Sequence, residues 1–509
     1  MLGQLVKRFE TKLRLNSNIP PTPPKTSSPL SSHLTTNLET IKERYHNSSD
    51  LIIKQIKVGN IDVGFIMVEA MVNLQLVSLN YLDPLTQYDE KDSTPQDVYT
   101  FMTDKIPIGI NLQEIKTYED VFQFMMSGFI ITLVDGVNHG FGFSAAGFNF
   151  RSISEPSTEI NIRGSREGFT EVIRINLSMV RRRLKSPNLK FELLQLGTKS
   201  KTDVCLLYLT DVVDQKLVDH IKEQLNQIKI DTILDTGYLA PFLEGSPISI
   251  FSDIGTTERP DTVCAKLSEG RVGILVDGTP FALIAPYFFI DNFQNFDDYC
   301  NQSYYVSYMR LLKYLCFAIT ILLPGMYVAL GTHHPELFPH ALLYTIVTSD
   351  LTSTFPLFYQ AILLGVFAEI LREACLRLPT PMGAGIGIVG GLVIGDAAVS
   401  AGLVGTPMIL IITLTLLTSF VIPKLQEPLT ILRFVFILLG GIYGLYGISL
   451  GICITCMNLC ALKNGPYAYF QPLIPLKANR LNDALTRLSW VRMNHSTKPI
   501  TTKKDSEKD

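Results

Sequence analysis

The sequence predicts a soluble α+β N-terminal region of two subdomains, followed by an all-α polytopic membrane bundle. Three observations carry this expectation. Up to about Ser268 the 509-residue chain has ordinary soluble composition, whereas long apolar runs dominate from Arg271 to Leu462. Several of those runs approach the ~20 residues that a helix needs to cross a bilayer. The first half alternates short strand-like runs with amphipathic stretches, a mixed order that indicates α+β rather than a doubly wound sheet. After the charged turn of Arg372, Glu373 and Arg377, the stretch from Met382 to Met408 is almost wholly small or apolar, with Gly383, Gly385, Gly387, Gly390, Gly391 and Gly395 and a single acid, Asp396, inside it.

These boundaries divide the chain into a flexible segment (residues 1–50), two soluble α+β subdomains (51–187 and 188–270), a transmembrane helical domain (271–462) and a polar tail (463–509). Residues 16–50 are rich in Pro, Ser, Thr and Asn, which is linker composition. The opening MLGQLVKRFETKLRL has no secretory apolar core or cleavage site, so no signal peptide is expected. A net charge of −3 gives no global reason to expect nucleic acid.

Leu51–Val58 and Ile61–Val68 flank Gly59-Asn60 and read as a hairpin. Tyr118–Ser127 reads as a helix. Phe129–Val134 and Gly140–Phe143 read as strands around Asp135-Gly136. In the stretch from Ile153 to Pro187, Glu159, Asn161 and Arg163 alternate with Ile160 and Ile162 at strand period. Ser165 is placed to cap a helix running to about Lys185, with Phe169, Val172, Ile173, Leu177, Val180 and Leu184 on one face. Arg181, Arg182, Arg183 and Lys185 gather at its C-terminal end, where the helix dipole favours cations. Such a run reads as a solvated helix end facing the cytoplasm, with anionic lipid headgroups as the alternative. Phe191–Leu196 and Val204–Leu209 then read as strands, Asp214–Ile228 as an amphipathic helix and Ile233-Leu234 as a strand end.

The motifs SEPSTEINIRGSREGFTEVIRINLSMVRRRLKSP, GRVGILVDGTPF, LREACLRLP and GIVGGLVIGDAAVSAGLV occur in that order. Together they closely resemble the A-subunit family of bacterial spore germinant receptors, over roughly Leu51 to Arg480. The resemblance implies a subunit of a nutrient-sensing complex in the inner membrane of the dormant spore. It also implies partners, a transporter-like B subunit and a lipoprotein C subunit, together with homo-oligomerisation, contact with membrane lipid and a contribution to an ion path. The soluble region and the tail are then expected on the cytoplasmic side, the spore core. Gln360 and Gly365 stand where the family often has glutamates, and Asp396 where glutamine is usual.

The apolar windows are Val272–Ile290, Leu311–Leu330, Pro356–Leu371, Met382–Leu403, Pro407–Ile422 and Phe434–Leu459. The first contains Asp277, Gly278 and Pro280 and reads as re-entrant or broken if it enters the membrane. An even number of crossings places both the arginine cluster and the basic tail inside. Gly391-x-x-x-Gly395 is a close-packing pattern, and Gly440, Gly441, Gly444, Gly447 and Gly451 form a second small-residue stripe for helix contact.

The candidate gate or ion-path residues are Gly387, Gly391, Gly395, Asp396 and Glu369. An intramembrane carboxylate is costly, so it is paired, protonated or facing water. For Glu369 the structural alternative is a pair with Arg372, one turn away. Glu155, Glu159, Arg163, Arg166 and Glu167 are candidates for an inter-domain or subunit contact, since charges of both signs at such density make ion-pair networks more often than catalytic centres. Ser154 and Ser165 lack the G-x-S-x-G setting of a hydrolase. Gly385-x-Gly387-x-x-Gly390 matches a dinucleotide fingerprint, but lies in membrane-grade sequence rather than after a soluble strand. Cys453, Cys456 and Cys460, and His333, His334, Glu336 and His340, lack the setting of a metal site. No catalytic residue, metal or cofactor is therefore expected. A solute transporter acting alone is the alternative function, since broken helices and an intramembrane acid also suit that class.

Overall fold

In a computed structural model, the structure describes residues 28–69, 71–72, 93–104, 112–145, 155–156, 158–159, 161, 163–378, 391, 395–474 and 483–487. The chain divides into two compact units, residues 1–150 with 184–190, and residues 151–183 with 191–509.

The first unit is built on a five-stranded antiparallel sheet in the order β1-β2-β4-β5-β3. Its strands are β1 (Leu51–Val58), β2 (Ile61–Val68), β3 (Leu112–Ile115), β4 (Phe129–Val134) and β5 (Gly140–Ser144). Gly59 takes φ +63° in the β1–β2 turn, the left-handed conformation that glycine adopts without strain. Residues that read as linker instead form helix α1 (Leu34–Arg44). Leu34, Leu38 and Ile41 recur at helical spacing and are buried. Gly64 makes room for them, because a Cβ there would lie 2.9 Å from Leu34. Helix α2 (Pro95–Asp104) and helix α3 (Tyr118–Met125) complete the unit, α3 opening on a reciprocal Thr117–Asp120 capping box.

The second unit contains another five-stranded sheet, in the order β6-β7-β9-β10-β8. Its strands are β6 (Leu189–Leu196), β7 (Thr202–Leu209), β8 (Gly255–Thr257), β9 (Val272–Val276) and β10 (Ala282–Ala285). Its helices are α4 (Ile173–Arg183), α5 (Gln215–Gln227) and α6 (Pro260–Ser268). The window Val272–Ile290, a membrane candidate in the sequence, is therefore two strands of this sheet. Every residue of β9 and β10 is buried. A strand covered on both faces carries a continuous apolar run, which composition does not separate from a membrane segment. Helix α4 begins at Ile173 rather than Ser165, and Ile233-Leu234 is not a strand.

Long helices continue the same unit: α7 (Ser303–His333), α8 (His340–Leu351), α9 (Leu357–Arg377), α10 (Thr406–Phe420) and α11 (Gln426–Ala461), with residues 395–400 also helical. Among the described residues, two stretches are long and apolar enough to cross a membrane, Ser303–His333 and Pro423–Ala461.

The second of these folds back on itself. Gly444 has φ +59° and ψ −142° in the middle of α11. A Cβ on Gly451 would lie 2.9 Å from both Phe436 and Leu439. In a straight helix residues 436 and 451 would be about 22 Å apart. Residues 426–443 and 445–461 are thus two antiparallel arms, and the single window Phe434–Leu459 covers parts of both. Residues 463–474 and 483–487 also belong to the packed structure. Strands β11 (Lys463–Asn464) and β12 (Tyr467–Ala468) form a hairpin, and Tyr467 and Ala484 join the core of the second sheet.

Candidate coupling site between the second sheet and the long helices

The helix ends define two levels. At the near level, Lys424, in the connection between α10 and α11, lies 3.4 Å from the Tyr287 hydroxyl just past β10. Asn458, in the last turn of α11, lies 3.1 Å from the Ser249 hydroxyl. At the far level, His333 ends α7 with its Nε2 2.9 Å from the carbonyl of Gly441. Helix α9 starts there too, with Leu357 against Gly331 and Phe358 against Gly441. The Gly405 N–H, before α10, donates to Gln360 at 2.9 Å.

A belt of buried charge joins the sheet to the helices at the near level. Asp291 receives Lys266 at 2.9 Å and Arg271 at 2.5 Å, and caps the Phe288 N–H at 2.8 Å. Burial opposes ionisation of Asp291, but Arg271 and Lys266 hold its carboxyl well below the usual range. Arg310, fully buried in α7, pairs with Asp298 and Asp483 at 3.0 Å each. Lys313 donates to the Phe293 carbonyl at 3.0 Å, and Arg487 to the carbonyls of Asn301 and Tyr299 at 2.7 and 3.1 Å. Buried cations of this kind need full pairing, since an unpaired one costs several kcal/mol.

Four of the five predicted contact residues engage partners by side chain, in different ways. Glu159 joins sheet to helices: one carboxylate oxygen pairs with Lys424 at 3.1 Å, and the other accepts from the Thr257 hydroxyl at the end of β8. Arg259, buried and paired with Asp261 at 2.6 Å, donates to the carbonyls of Ser165 and Glu159 and so anchors this segment. Glu167 binds Arg182 at 2.6 Å and Arg183. Burial works against its ionisation, yet the two guanidinium groups hold its carboxyl below the ordinary value. Glu155 and Arg166 form an exposed pair at 3.0 Å, of a type that contributes little. Arg163 is joined through its backbone, the N–H donating to Asp297. Nor is the arginine run a solvated end: Arg181 is fully buried, with its guanidinium 4.3 Å from the centre of the Phe191 ring.

The gate candidates separate. Glu369 pairs with both Arg372, one turn on, and Arg433 of the facing α11 arm, and Arg372 donates to Thr430 at 3.1 Å. Asp396 is exposed. Among the described residues Gly391 and Gly395 have no close packing partner: a Cβ on Gly395 meets none of them within 4 Å, and one on Gly391 only Leu371 at 4.0 Å. Gly387 lies outside the described residues. The close glycine contacts are elsewhere, where Gly325 of α7 crosses Gly440 of α11 and a Cβ on Gly325 would lie 2.5 Å from the Phe436 carbonyl. Among the described residues no cluster could hold a metal ion. Arg259, Lys266, Arg271 and Asp291 were missed, because isolated charges in apolar sequence do not reveal their partners. The GRVGILVDGTPF motif that contains Arg271 was the available signal.

A profile of the Bacillus/Clostridium GerA spore germination protein family matches residues 39–499. The chain belongs to this family. Spore germination protein KA of Bacillus subtilis (strain 168) is 37% identical over 466 residues, covering 91% of this chain and 85% of that protein. Spore germination protein B1 of the same organism is 32% identical over 465 residues, covering 90% and 95%. Spore germination protein GerLA of Bacillus cereus is 35% identical over 397 residues, covering 78% and 80%. A crystal structure of the N-terminal domain of the A subunit of the Bacillus megaterium spore germinant receptor GerK3 aligns at a TM-score of 0.43 and 34% identity, over 52% of this chain and 99% of that one. The relatives are spore germination proteins, so the motifs from Ser154 to Val404 are those of a GerA-family chain.

Proposed function

We propose that this chain is the membrane subunit of a nutrient germinant receptor, with a transporter-like B subunit and a lipoprotein C subunit as partners. Its long helices lie in the inner membrane of the spore, with both soluble regions and the tail on the core side. Among the described residues, α7, α9, α10 and the two arms of α11 run between the two helix levels. The observation that carries the coupling role is the Glu159 bridge, since one carboxylate holds both the end of β8 and the connection between two membrane helices. Movement imposed on the second sheet by a partner is thereby passed to α10 and α11. The exposed face bearing Gly391, Gly395 and Asp396 contacts a second copy of the chain, and the ion path runs along that contact, with Glu369 holding α9 against α11.

The test is nutrient-triggered release of monovalent cations from spores carrying Gly391→Leu or Gly395→Leu at normal protein level. Release is expected to fall sharply, because the added bulk faces the neighbouring copy rather than the chain's own core. Normal release would remove the gate assignment. A transporter acting alone would instead show solute uptake in vesicles holding this chain only.

A further inference from the structure

We infer that the loop around Pro247, Ile248 and Ile250 lies in the lipid headgroup boundary, so that the second sheet rests on the membrane as well as being tied to its helices. The placement rests on the membrane reading of the long helices proposed above. At this apolar tip Ile248 is 91% exposed and Ile250 38%, and Phe242, earlier in the same segment, is 46% exposed. The residues on either side of this tip are held at the near level. Ser249 bonds Asn458 in the last turn of α11, and Phe251 is buried beside Phe289 and Tyr469 at the base of the bundle. The tip is therefore at the height where the exposed apolar face of α11, with Ile454 and Met457, comes to its end. That continuity identifies the occupant as the bilayer that covers Ile454 and Met457. A β-branched side chain this exposed gains nothing in water, whereas insertion into the interface stabilises it by removing apolar area from water.

The test uses tryptophan fluorescence of the full chain in phosphatidylcholine vesicles containing brominated lipid. Trp490 is the chain's single tryptophan and is replaced in all variants, Trp490→Phe. Ile248→Trp is compared with Leu438→Trp, on the exposed face of the first α11 arm, and with Lys199→Trp. Lys199 is exposed in the β6–β7 turn, at the end of the sheet opposite Tyr287. Ile248→Trp is expected to be quenched to the same order as Leu438→Trp, and Lys199→Trp to be unaffected. Quenching at 438 but not at 248 would overturn the loop assignment and leave the membrane reading standing. A blue-shifted but unquenched Ile248→Trp spectrum would also overturn it, by showing that protein covers the tip. No quenching at 438 would overturn the membrane reading itself. Ile250→Trp supplies the same comparison if Ile248→Trp does not fold.

Discussion

Glu159 and Asp253 show how much depends on where a carboxylate is buried. Glu159→Gln keeps the shape but removes the charge that faces Lys424. Hydrogen bonds to charged groups contribute about 1.5–3 kcal/mol. The variant is therefore expected to lose thermal stability in detergent and to slow nutrient-triggered cation release. Lys424→Met should match it, and the exchange Glu159→Lys with Lys424→Glu should recover part of the loss. A smaller effect of each change in a background where the partner is already removed would confirm coupling, and strictly additive effects would refute it. Asp253 accepts the Gly245 N–H at 3.1 Å, but burial pushes its carboxyl up to about 6 from 3.8. The folded state thus holds a proton that the unfolded state releases first. Stability is unaffected below about 3.8, falls as pH rises towards 6 and stays lowered above it. Asp253→Asn should remove that decline, raising the melting temperature relative to the parent at pH 7.5 but not at pH 4. The sequence offered Glu159 as one of five charges of equal standing for an inter-domain or subunit contact. Only folding distinguished the bridge from the exposed pair at Glu155 and Arg166.

Among elements, the two glycine stripes have opposite roles. At the crossing of α7 and α11, backbone lies against backbone, so Gly325→Ala forces atoms into the Phe436 carbonyl. Overpacking of this kind costs about 1–3 kcal/mol, and the variant should unfold earlier in detergent on fluorescence-detected size exclusion. Gly395→Ala meets nothing among the described residues and should leave that transition unchanged. A reversal of the two results would mean that α7 and α11 do not cross at Gly325 and Gly440. The stripe in the last window was legible as helix contact from its three- and four-residue spacing. Its turn was not, because a glycine continuing a helix and a glycine reversing it give the same apolar pattern. For the same reason β9 and β10 read as membrane sequence, and α1 was hidden beneath a linker composition that outweighed three leucine and isoleucine positions at helical spacing.

For the whole molecule, the near and far levels set the topology. Reporter fusions after residue 28 and after Leu462 should both report the cytoplasmic side, and an inserted tag beside Gly444 the opposite side. A tag at Gly444 on the cytoplasmic side would refute the two-arm arrangement. Extraction of the protein by carbonate without detergent would refute membrane embedding altogether. The window Val272–Ile290, a membrane candidate by composition, is taken out of that topology by β9 and β10, which belong to the second sheet.

Family membership, the α+β character of the first half and the apolar character of the second were determined by the sequence alone. Each is carried by local order or composition, which survives without knowledge of neighbours. Which apolar run is strand and which is helix, where α11 reverses, and which carboxylate meets Lys424 were decided only by tertiary structure. Those outcomes depend on what covers a segment, and burial and charge pairing join residues far apart along the chain.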